Sequence, residues 1–326
     1  MKILVVKLSS LGDLFHALPA VHAVRMGLGA KVDWVTQPAY AELVRCFDDV
    51  NRVIVFPRRG WLADGPAFLR DLRRERYDLI LDLQGLLKSA LVARLARGGR
   101  RLGPSFHREG ARLLYHAVAG PRNRERHAVE EALDVVRLLG LPVPAPVFPL
   151  HVPRQELAAG HPRIAIIPRS RWPTKNWAVA NFIAAARAVR EKTSATFFLV
   201  GAPEDRVAGG EIAQALGVAA VDLCGKTSLV ELGSLLQEMD LVLTVDTGPM
   251  HLAAALGRPV LALFGPTNPR RTGPYGPRHR VLTAADLACR PCYEDICRNG
   301  KPDCMAGITP ECVAATALEM LRKAGG

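Results

Sequence analysis

The sequence predicts an α/β protein made of two doubly wound domains, each with a parallel sheet. Three observations predict it. Short apolar runs of strand length alternate with segments of helical period through residues 1–140. The stretch LPVPAPVFPLHVP, residues 141–153, then interrupts the alternation with five prolines. The same alternation resumes after it. Strands separated by helices form parallel sheets covered on both faces, and 326 residues suffice for two such domains. The expected domains are residues 1–150 and 151–326, with the C-terminal helix able to pack back on the first domain.

In the first half, Ile3-Leu4-Val5-Val6 marks a buried strand over 2–8. Further strands are expected at 31–36, 52–56 and 79–84, and helices at 18–28, 39–47, 66–76, 89–97 and 127–139. Pro19 suits a first helical turn, where a missing N–H costs nothing. The proline-rich stretch reads as an extended linker, because proline fixes φ and removes a donor. In the second half, strands are expected at 163–167, 196–200, 220–223, 241–245 and 260–264. Helices are expected at 177–192, 204–216, 229–239, 250–256 and 310–323. In such sheets ligands sit at the carboxyl ends of the strands, so an interdomain cleft lined by the loops after each strand is expected.

The net charge is +12 and hydrophobic residues make up 49% of the chain. Residues 1–150 hold 23 Lys and Arg against 15 Asp and Glu, so the basic excess leans to the first half. Such a balance suits an anionic partner, or solvated faces of an arginine-rich protein. No apolar stretch approaches the ~20 residues of a membrane span, and no signal-peptide pattern opens the chain, which predicts a cytoplasmic protein. The seven cysteines are Cys46, Cys224 and five near the C-terminus, which does not read as a disulfide framework. Neither GxGxxG after a strand nor GxxxxGK[ST] occurs, which argues against dinucleotide dehydrogenases and P-loop NTPases.

Candidate binding loops follow the strands. LVLTVD, residues 241–246, ends a buried strand in Asp246, and Thr247-Gly248-Pro249 leads into a helix with His251 one turn in. Free N–H groups at that helix start make an anion site, although Asp246 or Thr247 would equally serve as a plain helix cap. His251 alone reads as well as a structural histidine. After strand 163–167 comes PRSRWPTKNW, where Lys175 offers a compact charge for phosphate beside Ser170 and Thr174, or stands in water with Trp172 and Trp177 as anchors of the loop. Glu204 or Asp205 in GAPED, residues 201–205, would accept ribose hydroxyls or cap a helix. Gly225-Lys-Thr-Ser228 would border a base pocket. KLSSLGDLFHALPAV, residues 7–21, places a carboxylate, Asp13, where phosphate-binding proteins place glycines and lysine; on spacing alone it reads as a helix cap.

Taken together, KLSSLGDLFHALPAV, DLQGLLKSA, SRWPTKNW, VDTGPMHLAAALGRPV and LFGPTNP resemble the lipopolysaccharide heptosyltransferases of glycosyltransferase family 9, over residues 1–276. The first two motifs look more like heptosyltransferase I, which acts on the Kdo sugars of lipid A, than like heptosyltransferase II. The resemblance implies a GT-B fold with two Rossmann-like domains, acceptor in the first and sugar nucleotide in the second. It implies transfer from ADP-L-glycero-D-manno-heptose with inversion, with no cofactor and no essential metal. It assigns Asp13 as general base. Lys175, Ser170, Thr247 and Gly248 would hold the diphosphate, Asp246 the donor sugar or the loop with His251 near it, and Glu204 or Asp205 the ribose. Ser10, Gly12, Arg58, Arg59 and Lys88 would meet the anionic acceptor. Expected partners are ADP-heptose, a Kdo-lipid A acceptor and, peripherally, the cytoplasmic face of the inner membrane, with no nucleic acid.

One feature departs from heptosyltransferase I. Cys289-x2-Cys292-x4-Cys297-x6-Cys304, then Cys312, looks more like the tails of heptosyltransferase II. Four thiolates at that spacing would hold a structural metal or pack as reduced thiols. A different acceptor, another GT-B glycosyltransferase, a sugar-nucleotide epimerase and a non-catalytic basic binding protein are the alternatives to the heptosyltransferase I reading.

Overall fold

The four apolar runs of the first half become strands of one parallel sheet, and two further segments join them. These are β1 (Lys2–Val6), β2 (Lys31–Thr36), β3 (Val50–Val55), β4 (Arg76–Asp82), β5 (Arg97–Pro104) and β6 (Ala117–Ala119), in the order β3-β2-β1-β4-β5-β6. The second half forms β7 (Arg163–Ile167), β8 (Thr196–Leu199), β9 (Ala220–Asp222), β10 (Leu241–Val245), β11 (Val260–Phe264) and β12 (Arg280–Thr283). Their order, β12-β11-β10-β7-β8-β9, repeats that of the first sheet, and the pairings in both are parallel. This computed structural model describes residues 1–123, 125–158, 160–284 and 287–324. The chain divides into two units, Met1–His151 and Val152–Gly326.

In each sheet the winding reverses beside the first strand, between β1 and β4 and between β7 and β10. Connections there leave to opposite faces, and the carboxyl ends of the two strands border a crevice. The loops carrying Asp13 and Gln84 lie at one reversal, and those carrying Lys175 and Asp246 at the other.

The strands are anchored by side chains that water cannot reach. Leu4, Val5, Val6 and Trp34 are fully buried in the first unit, as are Phe182, Leu199, Val245 and Phe264 in the second. Each contributes about 1.5–3 kcal/mol of hydrophobic free energy before the entropy of ordering it is charged. Helix Pro310–Ala324 packs on helix Val179–Arg190 and β10, adding Val313, Ala314, Ala317 and Met320 to the second core. The proline-rich stretch ends in an antiparallel bridge between Leu150 and Phe47, and Asp48 and His151 extend it by hydrogen bonds to Pro149 and Cys46.

Several expected boundaries move. The first helix is Leu11–Leu28, so Pro19 lies inside it rather than in its first turn. Helix Trp61–Leu72 likewise contains Pro66. A proline removes one N–H···O bond; in the first helix, burial from Leu11 to Val24 and the Ser10–Asp13 cap outweigh that loss. Residues 127–139 form two short helices, Ala128–Ala132 and Asp134–Leu138, instead of one. Strands β5, β6 and β12 were not expected. In β5, RGGRRLGP, Leu102 is the lone aliphatic residue, so no apolar run announces it.

Gly98 and Gly99 let β5 run hard against β4. A Cβ on Gly98, whose φ is +134°, would lie 2.0 Å from the Tyr77 carbonyl oxygen. We predict that Gly98→Ala lowers stability by about 2–3 kcal/mol, through backbone strain and the clash with the neighbouring strand. Urea denaturation checks this; an unchanged midpoint would contradict the close pairing.

Candidate active site

The first candidate centre stands at the carboxyl ends of β1 and β4. Lys7 is buried beyond the end of β1, and its Nζ donates to the Leu83 carbonyl at 2.8 Å. Burial depresses its pKa, while Asp13 and Asp82 nearby favour its charged form. Asp82 ends β4 at 0% exposure and accepts four hydrogen bonds: from the Gln84 and Gly85 N–H groups, the Ser89 hydroxyl and the Tyr115 hydroxyl. The Gln84 side chain in turn accepts the N–H groups of Leu8 and Ser9, at 3.0 and 2.9 Å. The two loops are therefore tied to each other immediately before the Asp13 turn.

Asp13 occupies the third position of helix Leu11–Leu28. Its Oδ2 accepts the Ser10 N–H at 2.9 Å and the Ser10 hydroxyl at 3.0 Å. The capping role is thus real, and it fixes the carboxylate's direction. The side chain is still 43% exposed, with Oδ1 3.7 Å from His16 Nδ1. The His16 ring meets His127 edge-on at 5.6 Å. Loss of solvation disfavours the Asp13 charge, but Lys7, His16 and the Ser10 N–H together outweigh it and hold the carboxyl well below the usual carboxylate range. An anchored, ionised and half-open carboxylate can accept a proton from a substrate hydroxyl.

The other first-unit candidates lie on the same edge of this sheet. Gly12 is buried in the first helical turn. Arg58 and Arg59 are exposed in the loop after β3, and Lys88 is exposed on helix Leu87–Leu95, in the loop-and-helix connection that follows Asp82.

The second centre stands at the ends of β7 and β10. Lys175 lies in a 3-10 turn, Pro173–Lys175, and its Nζ is 2.7 Å from Asp246 Oδ2. Both side chains are largely buried, and the Lys175 ammonium also sits 4.5 Å over the Trp172 ring. The expectation that Lys175 could stand in water fails, because Asp246 and Trp172 enclose it. Trp177 is the anchor expected of it: it is buried and its Nε1 donates to the Ile308 carbonyl.

Asp246 also accepts the Thr267 hydroxyl at 2.6 Å. Neither Asp246 nor Thr247 caps helix Gly248–Ala255 through its side chain, so the plain-cap reading does not hold there. Pro249 has no N–H and the Met250 N–H bonds the Thr247 carbonyl, so this helix start offers an anion chiefly its dipole. His251 is buried one turn in. The Ser170 N–H bonds Asn176 Oδ1, which shapes the loop beside Lys175.

Of the two candidates for ribose, Asp205 accepts the Ala202 N–H at 2.8 Å and closes its own turn, whereas Glu204 is exposed. Gly225 packs on Pro203, and its carbonyl accepts from Arg206, so the loop containing Lys226 borders the one containing Glu204. Ser228 is a helix cap, exchanging hydrogen bonds with Glu231.

The cysteine-bearing segment supports this second centre. The Glu294 carbonyl accepts the Thr174 hydroxyl at 2.6 Å, next to Lys175. The Tyr293 N–H bonds the Pro266 carbonyl, and Arg290 bonds the carbonyls of Phe264, Gly265 and Ala284. Cys289, Cys292, Cys297, Cys304 and Cys312 are free thiols, with Cys304 buried. Among the described residues no group of three or more His, Cys, Asp or Glu is arranged to hold a metal ion.

Sequence reading passed over Lys7, Gln84, Tyr115, Thr267 and the Glu294 carbonyl. A lysine closing a fully apolar parallel strand was the one signal available, because such a charge must find partners. Lys175→Met would leave Asp246 buried with only a hydroxyl for company. We predict a loss of about 2–3 kcal/mol for this variant, much of it recovered in Lys175→Met/Asp246→Leu. Thermal or urea melts of the single and double variants check the coupling; additive losses would contradict the pairing.

The chain has known relatives in sequence and in fold. A family model, Glycosyltransferase family 9 (heptosyltransferase), matches residues 66–302. Lipopolysaccharide heptosyltransferase 1 of Pseudomonas aeruginosa is 33% identical, with 98% of both chains covered. Lipopolysaccharide heptosyltransferase 1 of Escherichia coli K12 is 32% identical, with 87% of this chain and 94% of that one covered. Among solved structures, the E. coli heptosyltransferase WaaC with ADP superposes with a TM-score of 0.83 at 27% identity, covering 98% of this chain and 100% of that one. E. coli ADP-heptose lps heptosyltransferase II gives 0.82 at 25% identity, with both chains fully covered. The chain therefore belongs to glycosyltransferase family 9, the heptosyltransferases.

Proposed function

We propose that this chain moves L-glycero-D-manno-heptose from ADP-heptose to a Kdo sugar of a lipid A-type acceptor, with inversion and with Asp13 as general base. The observation that carries the base assignment is the half-exposed Asp13 carboxylate, fixed by Ser10 near the buried Lys7 at the carboxyl edge of the first sheet. The donor assignment is supported by the relative solved with ADP and by another solved with ADP-2-deoxy-2-fluoro heptose.

In the proposed step an acceptor hydroxyl oxygen attacks the anomeric carbon of the heptose. The new C–O bond forms as the bond to the β-phosphate oxygen breaks, and ADP departs with that electron pair. The acceptor proton passes to Asp13. A carboxylate with a depressed pKa is a weak base, but the attacking hydroxyl becomes acidic as its C–O bond forms, so proton transfer late in the displacement suits it. With its carboxyl held below the usual carboxylate range, the accepting form is the one expected at neutral pH.

On the donor side, Lys175 and the helix start at Thr247-Gly248 stabilise the charge that develops on the leaving diphosphate, with the Ser170 hydroxyl beside them. Asp246 positions Lys175, and His251 is buried in the helix that follows Asp246. Glu204 takes the ribose hydroxyls, since Asp205 is committed to its own turn. On the acceptor side, Arg58, Arg59 and Lys88 pair with the Kdo carboxylates, and Gly12 admits the sugar to the Asp13 turn. The chain works with no cofactor and no nucleic acid partner, at the cytoplasmic face of the inner membrane. The cysteine tail favours one second reading, a heptosyltransferase II-like acceptor that already carries a heptose.

Asp13→Asn tests the base. The expected result is a loss of turnover of at least about a thousandfold, with ADP-heptose affinity by calorimetry kept within a few-fold. Full retained turnover would refute the assignment. Incubation with ADP-heptose and either Kdo₂-lipid A or a heptosylated acceptor, read by product mass, decides between the two acceptors.

A further inference from the structure

Helix Leu87–Leu95 follows the Asp82 loop and carries more leucine than its core requires. Ser89, Ala90, Val92 and Ala93 are its buried face. Leu87, Leu91 and Leu95 are 40–46% exposed. Spaced at i, i+4 and i+8, they stand in one row. At about 100° per residue, Arg94 borders one side of that row and Lys88 the other. The adjoining 3-10 helix, Ala111–Leu114, packs on the same helix through Ala90, Ala111 and Tyr115 and adds Leu113, which is 88% exposed.

The surroundings are cationic. Arg73 donates to the Leu95 carbonyl at 3.1 Å, and Arg97, Arg108 and Arg112 are exposed nearby. Elsewhere in this unit Arg25, Arg45, Arg52, Arg126 and Arg137 pair with carboxylates. Among the described residues, Lys88, Arg94, Arg97, Arg108 and Arg112 have no such partner. Glu109, on the same face, accepts the Leu87 N–H.

We propose that this face is the chain's seat on an anionic bilayer. The leucine row enters the boundary between headgroups and acyl chains, and the flanking cations meet lipid phosphates. An apolar row rimmed by unpaired cations is the pattern of an interfacial helix. No described helix is long and apolar enough to cross a membrane, so the helix lies in the plane of the surface. A second copy of the chain is a poorer occupant, because two-fold pairing would set the same cations against each other. The inference rests on the reading of a lipid-anchored acceptor and names the surface that brings the chain to it.

Co-sedimentation tests it, with vesicles of phosphatidylcholine alone and with about 30% phosphatidylglycerol added. The wild-type chain is expected on the anionic vesicles and to leave them as salt rises. Leu91→Glu should reduce binding about tenfold, and Arg94→Glu several-fold with a shallower salt dependence. Both variants should keep wild-type turnover on a water-soluble Kdo acceptor lacking acyl chains. The proposal is overturned if the wild type ignores anionic vesicles, or if both variants bind as the wild type does. It is also overturned if Leu91→Glu instead splits a dimer while vesicle binding is unchanged. Failure of the wild type to transfer heptose to the soluble acceptor would count against the functional reading alone, because vesicle binding is measured separately.

Discussion

One buried ammonium group organises the first unit. Lys7 ends an otherwise apolar strand, and a charge there is tolerable only with compensation. Its direct hydrogen bond goes to the Leu83 backbone, and its charge is balanced by Asp13 and Asp82 acting through space. Asp82 is satisfied by four donors from three segments of chain, which holds the β4 loop in place. The same loop grips the β1 loop through Gln84. Asp13 is what remains, a carboxylate held ionised and still open to a substrate.

The second unit solves a similar problem with the same residue types. Lys175 and Asp246 come from the loops after β7 and β10, the strands flanking the sheet's reversal. Here the ions touch, and Thr267 and Trp172 complete the enclosure. A lysine held by a carboxylate is oriented; under the proposed donor assignment it stands beside the helix start that would receive the diphosphate. The cysteine-bearing segment clamps this arrangement through the Glu294 and Pro266 carbonyls, so its contribution to the site is mechanical.

Much of this was legible in the chain itself. The four interior strands of the second sheet, β7, β8, β10 and β11, announce themselves as apolar runs, because a parallel strand buried on both faces must be apolar throughout. Strands β5 and β12, with their arginines and, in β5, glycines, sit outside that rule and were missed for that reason. The turn residues Asp13, Lys175 and Asp246 were visible through their place after strands. Their partners were not: Tyr115 is 33 positions from Asp82, and the Glu294 carbonyl is 120 from Thr174. Such pairings are set by which loops the topology brings to one edge, and local pattern carries no record of that. Prolines misled at both helix starts, since capping and burial upstream of Pro19 count for more than one lost hydrogen bond.

The central claim is that Lys7 holds the Asp13 carboxyl below the usual carboxylate range. Carbon-13 NMR of the Asp13 carboxyl group, followed as pH falls from neutrality, measures this without reference to turnover. A carboxyl whose folded pKa is depressed stays ionised as the pH passes its ordinary value and protonates only below it. The wild-type signal should therefore remain that of a carboxylate through about pH 4, while Lys7→Met should bring the titration upward into the ordinary range. A wild-type Asp13 that titrates at or above the ordinary carboxylate pH would contradict the account.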